Sequence, residues 1–308
     1  MQRSLKEYLI ISLKGIAMGA ADVVPGVSGG TIAFISGIYE ELLESINAVN
    51  FKALKVLKLE GFKAMWKSIN GNFLLSLVLG IGFSIISLAK LFKWLLENKP
   101  ILVWSFFFGL VIASVIFVAK QIKKWNFLTV LMLLIGTGIG YYITILPPMA
   151  GNYTSNWFLF IAGSLAICAM ILPGISGGFI LLILGAYKPA LDALDNWDFK
   201  SILLLISGAV VGLLSFSRLL KWLFDKYHNL TLAVLTGFIL GSLNKIWPWK
   251  KTLSIRLNSH GEEVPFIQQS ILPAEFDGEP QIMMGLLFAI VGFFVIVLLE
   301  KSATTKAS

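Results

Sequence analysis

The chain has 308 residues, 57% apolar and only 14% charged, with a mean hydropathy of +0.83. A soluble domain carries about 25% charged residues, so these figures exclude a disordered chain, a coiled coil and almost any water-soluble enzyme. Apolar runs of about 20 residues, the length that crosses a bilayer, recur along the chain, which reads as an all-α polytopic membrane protein. The net charge of +8 would suggest a nucleic-acid partner in a soluble protein. Here it raises the question of which membrane face holds the charges, and no nucleic-acid partner is expected.

The first segment, MQRSLKEYLIISLKGIAMGAADVV, imitates a signal peptide. Lys14 interrupts its apolar run and the following segment recurs later, so it is expected to stay in the mature protein. An apolar stretch over 8–46 is split by PGVSGG at 25–30. Proline removes a backbone donor and clustered glycines add freedom, so no continuous helix is expected through the motif. Each side of the break is short for a crossing. The stretch is read as a re-entrant pair of half-helices with the motif at its tip. Full spans are expected at 73–96, 101–120 and 127–146.

A second stretch, 157–191, is split in the same way by PGISGG at 173–178, followed by spans at 201–222, 229–247 and 282–300. The two halves correspond. Ser28, Gly29, Gly30, Gly37 and Tyr39 fall on Ser176, Gly177, Gly178, Gly185 and Tyr187 at a shift of 148 residues, as do Pro25 and Gly26 on Pro173 and Gly174. Gly80, Lys93, Trp94 and Gly109 fall on Gly208, Lys221, Trp222 and Gly237 at a shift of 128. Residues 1–147 and 148–308 are therefore two repeats, each a re-entrant hairpin plus three transmembrane helices. Three crossings are an odd number, so the repeats are inverted relative to each other.

With the N-terminus inside, the cytoplasmic segments hold fourteen basic residues, including Arg3, Lys52, Lys67, Lys123, Lys221 and Lys301, against five in the outer loops. The outer loops collect acids such as Asp192, Asp198, Glu263 and Asp277. This is the positive-inside pattern, and the nine tryptophans near span ends fit an aromatic belt. Both termini are expected in the cytoplasm. In the loop 248–281, Asn258–Gly261 could close a hairpin, but a plain extracytoplasmic connector is the favoured reading. Cys168 reads as a small buried hydrophobe, and neither His228 nor His260 is expected to act chemically. Glu40, Glu41 and Glu44 read as a solvated helix end.

Irregular backbone at membrane depth survives where protein or a water-filled cavity surrounds it, and paired breaks in inverted halves point to a transport site. Free N–H groups at a half-helix start suit an anion such as phosphate. The candidate phosphate-binding residues are Ser28, Gly29, Gly30 and Thr31, then Ser176, Gly177 and Gly178. Lys90 and Arg218, equivalent positions one turn inside Trp94 and Trp222, are candidates at the entrances, with interfacial anchoring as the competing account. Asp22 is a candidate for proton or ion coupling, or a cap for backbone freed by the break. Its counterpart is Met170. Lys14 could pair with Asp22, help hold an anion or snorkel to the interface. There is no Walker-type loop, no metal cluster and no nucleophile–His–acid set, so no cofactor, no metal and no enzymatic activity are expected.

The segments ADVVPGVSGGT (21–31), GIYEEL (37–42) and LPGISGG (172–178) resemble those of the bacterial undecaprenyl- or polyprenyl-phosphate translocases, an integral membrane family formerly of unknown function. The resemblance runs from about residue 5 to residue 300. It implies a flippase of the bacterial inner membrane that returns undecaprenyl phosphate, the carrier lipid of envelope synthesis, from the outer to the cytoplasmic leaflet. The partners it implies are that lipid and the bilayer, and a homo-oligomer stays open. The second motif has Phe179 where the first has Thr31, so the half-sites are not expected to be chemically equal. A secondary transporter of a small anion or ion is the alternative. The undecaprenyl-pyrophosphate phosphatases share a PGxSR-type motif, but Gly29 and Gly177 stand where that motif has its arginine, leaving phosphoryl transfer without its charge stabilisation.

Overall fold

A computed structural model describes residues 3–24, 27–147, 156–257 and 263–304. Pro25, Gly26 and the turn Asn258–Gly261 with His260 lie outside the described residues. The first split stretch forms α1 (Leu5–Val23), α2 (Gly29–Ile35) and α3 (Tyr39–Ala48), followed by α4 (Phe51–Glu60), α5 (Phe62–Ser68) and α6 (Gly71–Asn98). Then come α7 (Pro100–Gln121), α8 (Phe127–Ile145), α9 (Asn156–Ile171), α10 (Gly177–Ile183), α11 (Tyr187–Asp195), α12 (Phe199–Ser242) and α13 (Ile282–Thr304). Among the described residues four helices are long and apolar enough to cross a membrane, and α10 with α11, bent by 106°, makes a fifth candidate. The protein is a mostly helical, multi-pass membrane protein.

Each split stretch breaks twice. Besides the motif, Gly37 and Gly185 both sit at φ +72° and separate α2 from α3 and α10 from α11. That left-handed backbone is open to glycine and strained for other residues. Two expected spans, 201–222 and 229–247, are arms of one long helix, α12, interrupted at Tyr227 (φ −132°, ψ 44°).

Glycines set how the helices pair. A Cβ on Gly15 would strike the backbone of Leu77, and one on Gly80 that of Ser12, while Gly19 faces Ile81 and Ser84. Contacts advance together along α1 and α6, so the two run side by side in the same direction. The chain has to come back between them, and Arg3 closes the return with a bidentate ion pair to Glu41. The stretch therefore begins and ends at one end of the molecule. In the second half Gly163 meets Leu205, Gly208 meets Phe160 and Gly212 meets Ser164, so α9 runs parallel to the first arm of α12. Likewise Gly136, Gly140, Gly237 and Gly241 pair α8 with the second arm of α12, and Gly109 and Gly292 pair α7 with α13. Small residues let helix backbones approach closely where lipid supplies no hydrophobic drive between helices.

The outward faces stay apolar, as lipid requires. Val78, Phe83 and Ile86 of α6, Leu134 of α8, Leu203 and Ile206 of α12 and Leu286 of α13 are all exposed. The all-α reading and the favoured connector both need correction at 248–281. Strands β1 (Lys250–Leu257) and β2 (Glu263–Ser270) pair antiparallel from Lys250↔Ser270 outward. Trp247 and Trp249 anchor the hairpin, donating to the carbonyls of Ile271 (2.8 Å) and Pro280 (2.8 Å). The β-rich composition of the two arms outweighed the loop reading once tryptophans fixed its root.

Candidate functional site

The two motifs meet in the interior. Ser28 caps α2 by accepting from Gly30 N (3.1 Å), and its hydroxyl lies 3.3 Å from the carbonyls of both Met170 and Leu172 in the second half. Thr31 accepts from Gly174 N at 2.8 Å, and the Tyr39 hydroxyl donates to Ile171 O at 3.1 Å. Ser28 and Thr31 are each only 1% exposed. The structure thus sets the first group of candidate residues against Met170–Gly174, just ahead of the second group, and uses the hydroxyls of Ser28 and Thr31 to join the two segments.

Asp22 accepts from Gly29 N at 2.7 Å, and a Cβ on Gly29 would collide with that carboxylate. A carboxylate of the chain itself therefore sits at the start of α2, where a phosphate was expected. Of the two roles read for Asp22, the cap is the one seen. Lys14 donates to Ser36 O, placing its ammonium at the end of α2, where the exposed carbonyls favour a cation.

The second motif is built differently. Ser176 makes no capping bond, Gly178 is exposed, and Met170 stands where Asp22 does. A small cavity lies beside it, lined by Gly140, Ile143, Thr144, Gly174, Ile175, Ser176, Phe179 and Lys245. Lys245 Nζ lies 4.0 Å from the centroid of the Phe179 ring. Sequence reading missed Lys245. Its counterpart at the shift of 128 is Phe117, and a cation facing an apolar residue in the other repeat was the available signal.

Lys90 and Arg218 stand on exposed faces of α6 and α12, outside that cavity. The glutamates after the first motif are not simply solvated. Glu41 holds Arg3 and accepts from Asn70 (2.8 Å), Glu44 pairs with Lys221 (3.0 Å) and Glu40 lies 3.4 Å from His228. Together with Lys123 N donating to Asn229 (3.0 Å), these contacts close the end of the molecule opposite the hairpin. No group of three or more His, Cys, Asp or Glu able to hold a metal occurs among the described residues.

Broken half-helices that meet inside an apolar bundle are an arrangement of membrane transporters. The chain belongs to the undecaprenyl phosphate translocase-like family, whose model matches residues 18–264. It is 50% identical over 300 residues to a polyprenyl-phosphate transporter of Vibrio cholerae, covering 96% of this chain and 97% of that protein. It is 33% identical over 253 residues to a polyprenyl-phosphate transporter of Staphylococcus aureus, covering 77% and 85%. No solved structure matches it significantly.

Proposed function

We propose that this protein transports polyprenyl phosphate across the bacterial inner membrane, returning undecaprenyl phosphate from the outer to the cytoplasmic leaflet for reuse in envelope synthesis. The observation that carries this reading is membership of the family along most of the chain, with two relatives named as polyprenyl-phosphate transporters. The juncture of the two motifs supports it. A charged head needs a polar passage through protein, whereas an isoprenoid tail is at home in lipid. The protein acts without chemistry on the phosphate.

In this reading the halves are inverted repeats. The parallel pairing of α1 with α6, and of α9 with the first arm of α12, supports that arrangement. The termini face the cytoplasm, in line with the positive-inside pattern. The halves rock about the juncture, and the head passes Ser28–Thr31 and Ser176–Gly178, with Lys90 and Arg218 at the entrances. Asp22 couples transport to a proton or cation.

Flipping of undecaprenyl phosphate in proteoliposomes tests the reading. Ser176→Ala, Ser28→Ala and Arg218→Gln should each slow it. Wild-type rates in all three would remove the site, and absence of flipping by the wild-type protein would remove the function. If Asp22→Asn transports normally at every pH, coupling through Asp22 is lost.

A further inference from the structure

Two lysines converge at the hairpin end of the molecule. Lys245 follows α12 and lines the cavity at the second motif. Lys250 opens β1, donates from Nζ to Lys245 O at 2.7 Å, and lies 3.6 Å from the centroid of the Trp104 ring at the start of α7. Each ammonium rests on an aromatic face, and the field of Lys245 acts on Lys250. Among the described residues no carboxylate pairs with either. Glu275, Asp277 and Glu279, which follow the hairpin, are exposed.

Like charges gathered in a partly desolvated place cost free energy unless an anion answers them. Simple snorkelling does not explain them, since a snorkelling lysine carries its ammonium out to water, whereas Lys250 turns its own to an indole and a backbone carbonyl. Ser176, which makes no capping bond, lines the cavity together with Lys245, whereas the Thr144 hydroxyl in its wall is taken up by Tyr141 O (2.7 Å) and Asn244 Nδ2 (2.8 Å). The cavity's free volume of about 10 Å³ suits a single water molecule, so a larger guest enters only as Phe179 and Lys245 move apart.

We propose that Lys245 and Lys250, with the hydroxyl of Ser176, form an anion seat at the hairpin end that holds the phosphomonoester head of a lipid. Only the lipid part rests on the transporter reading. The two ammonium groups suit a dianionic head better than a monoanionic diester, and the seat belongs to the second half alone. At the shift of 128 Lys250 falls on Ile122 and Lys245 on Phe117, and at the first motif Asp22 already caps Gly29 N. The transported head therefore meets two unlike stations, a cationic one near the hairpin and a self-capped one beyond it.

Full-length protein in phosphatidylcholine nanodiscs, titrated with farnesyl phosphate, farnesol and inorganic phosphate, tests the seat. Farnesyl phosphate should bind at least about tenfold more tightly than either of the others, and Lys245→Met and Lys250→Met should each weaken it by about tenfold or more, while Lys245→Arg stays close to wild type. Wild-type affinity in both methionine variants overturns the seat, and inorganic phosphate binding as tightly as farnesyl phosphate overturns the lipid assignment. Because Lys250→Met can fail to fold, the unmutated protein supplies a second reading. Farnesyl phosphate should shield Lys245 from an amine-reactive reagent and leave the exposed Lys251 unshielded, and equal labelling of Lys245 with and without ligand overturns the seat. Lysine-dependent binding without flipping in proteoliposomes would keep the seat and remove the transporter reading. Normal flipping with lysine-independent binding would do the reverse.

Discussion

At the scale of single residues, charge placement separates the two half-sites. The Asp22 carboxylate satisfies Gly29 N, a donor that burial would otherwise leave unpaired. Asp22→Ala should therefore destabilise the protein by roughly 1–2 kcal/mol, whereas Asp22→Asn, which keeps an acceptor oxygen, should be nearly neutral. Thermal unfolding in detergent distinguishes the two. Lys250 makes the opposite demand. Burial, reinforced by the charge of Lys245, pushes its pKa well below the ordinary lysine range. The folded protein then gives up this proton at a lower pH than the unfolded chain does. Between the depressed value and the ordinary one the unfolded state binds more protons, so stability should rise with pH across that window. Chemical denaturation across the alkaline range measures the slope, which should vanish in Lys250→Met.

Among the helices, glycine works in two distinct ways, and substitution tells them apart. Gly37 sits at φ +72° with open space where a Cβ would go, so Gly37→Ala should cost only the left-handed backbone, about 1–2 kcal/mol. Gly208 faces the Phe160 carbonyl, and Gly208→Ala should cost more, roughly 1–3 kcal/mol, by forcing α9 off α12. Adding a second bulky residue to the same seam should change little further, because the contact is already lost. Differences in melting temperature between the two variants read this out. The expected single break per stretch became two because Gly37 and Gly185 end α2 and α10 after only seven residues each. The matched glycines were visible in the sequence, but their positive φ was not.

For the whole molecule, the ion pairs Arg3–Glu41 and Lys221–Glu44 gather the start of α1, the end of the first stretch and the middle of α12 at one end, and the hairpin closes the other. Single cysteines placed in a Cys168→Ala background should follow this division. Lys55→Cys and Lys226→Cys should react with an impermeant thiol reagent from one membrane face only, and Trp197→Cys and Asp277→Cys from the other. Labelling of Lys55→Cys and Asp277→Cys from the same face would remove the inverted arrangement. Arg3→Glu should lower stability, and Glu41→Arg added to it should recover part of the loss.

The sequence by itself determined the membrane class, the positions of the apolar helices and the two motif breaks, because hydropathy, proline and glycine act locally and leave a readable period. It also singled out Ser28 and Thr31 at the juncture, because the recurrence of PGxSGG drew attention to them, but not the Met170–Leu172 carbonyls they meet. What each polar group does there was decided only by tertiary structure. Ser28 and Thr31 read as phosphate donors in the sequence, and only the fold shows that they also meet Met170, Leu172 and Gly174, more than 140 residues away. Asp22 reads equally as a proton carrier or a cap until the fold turns Gly29 N towards it. Lys245 and Lys250 look like ordinary loop lysines in the sequence. Only the packing of α12 beside α8 places Lys245 at the second motif, and only the packing of the hairpin root beside α7 sets Lys250 against Trp104 and the Lys245 carbonyl, because a side chain's electrostatic partners are set by which distant segments fold against it.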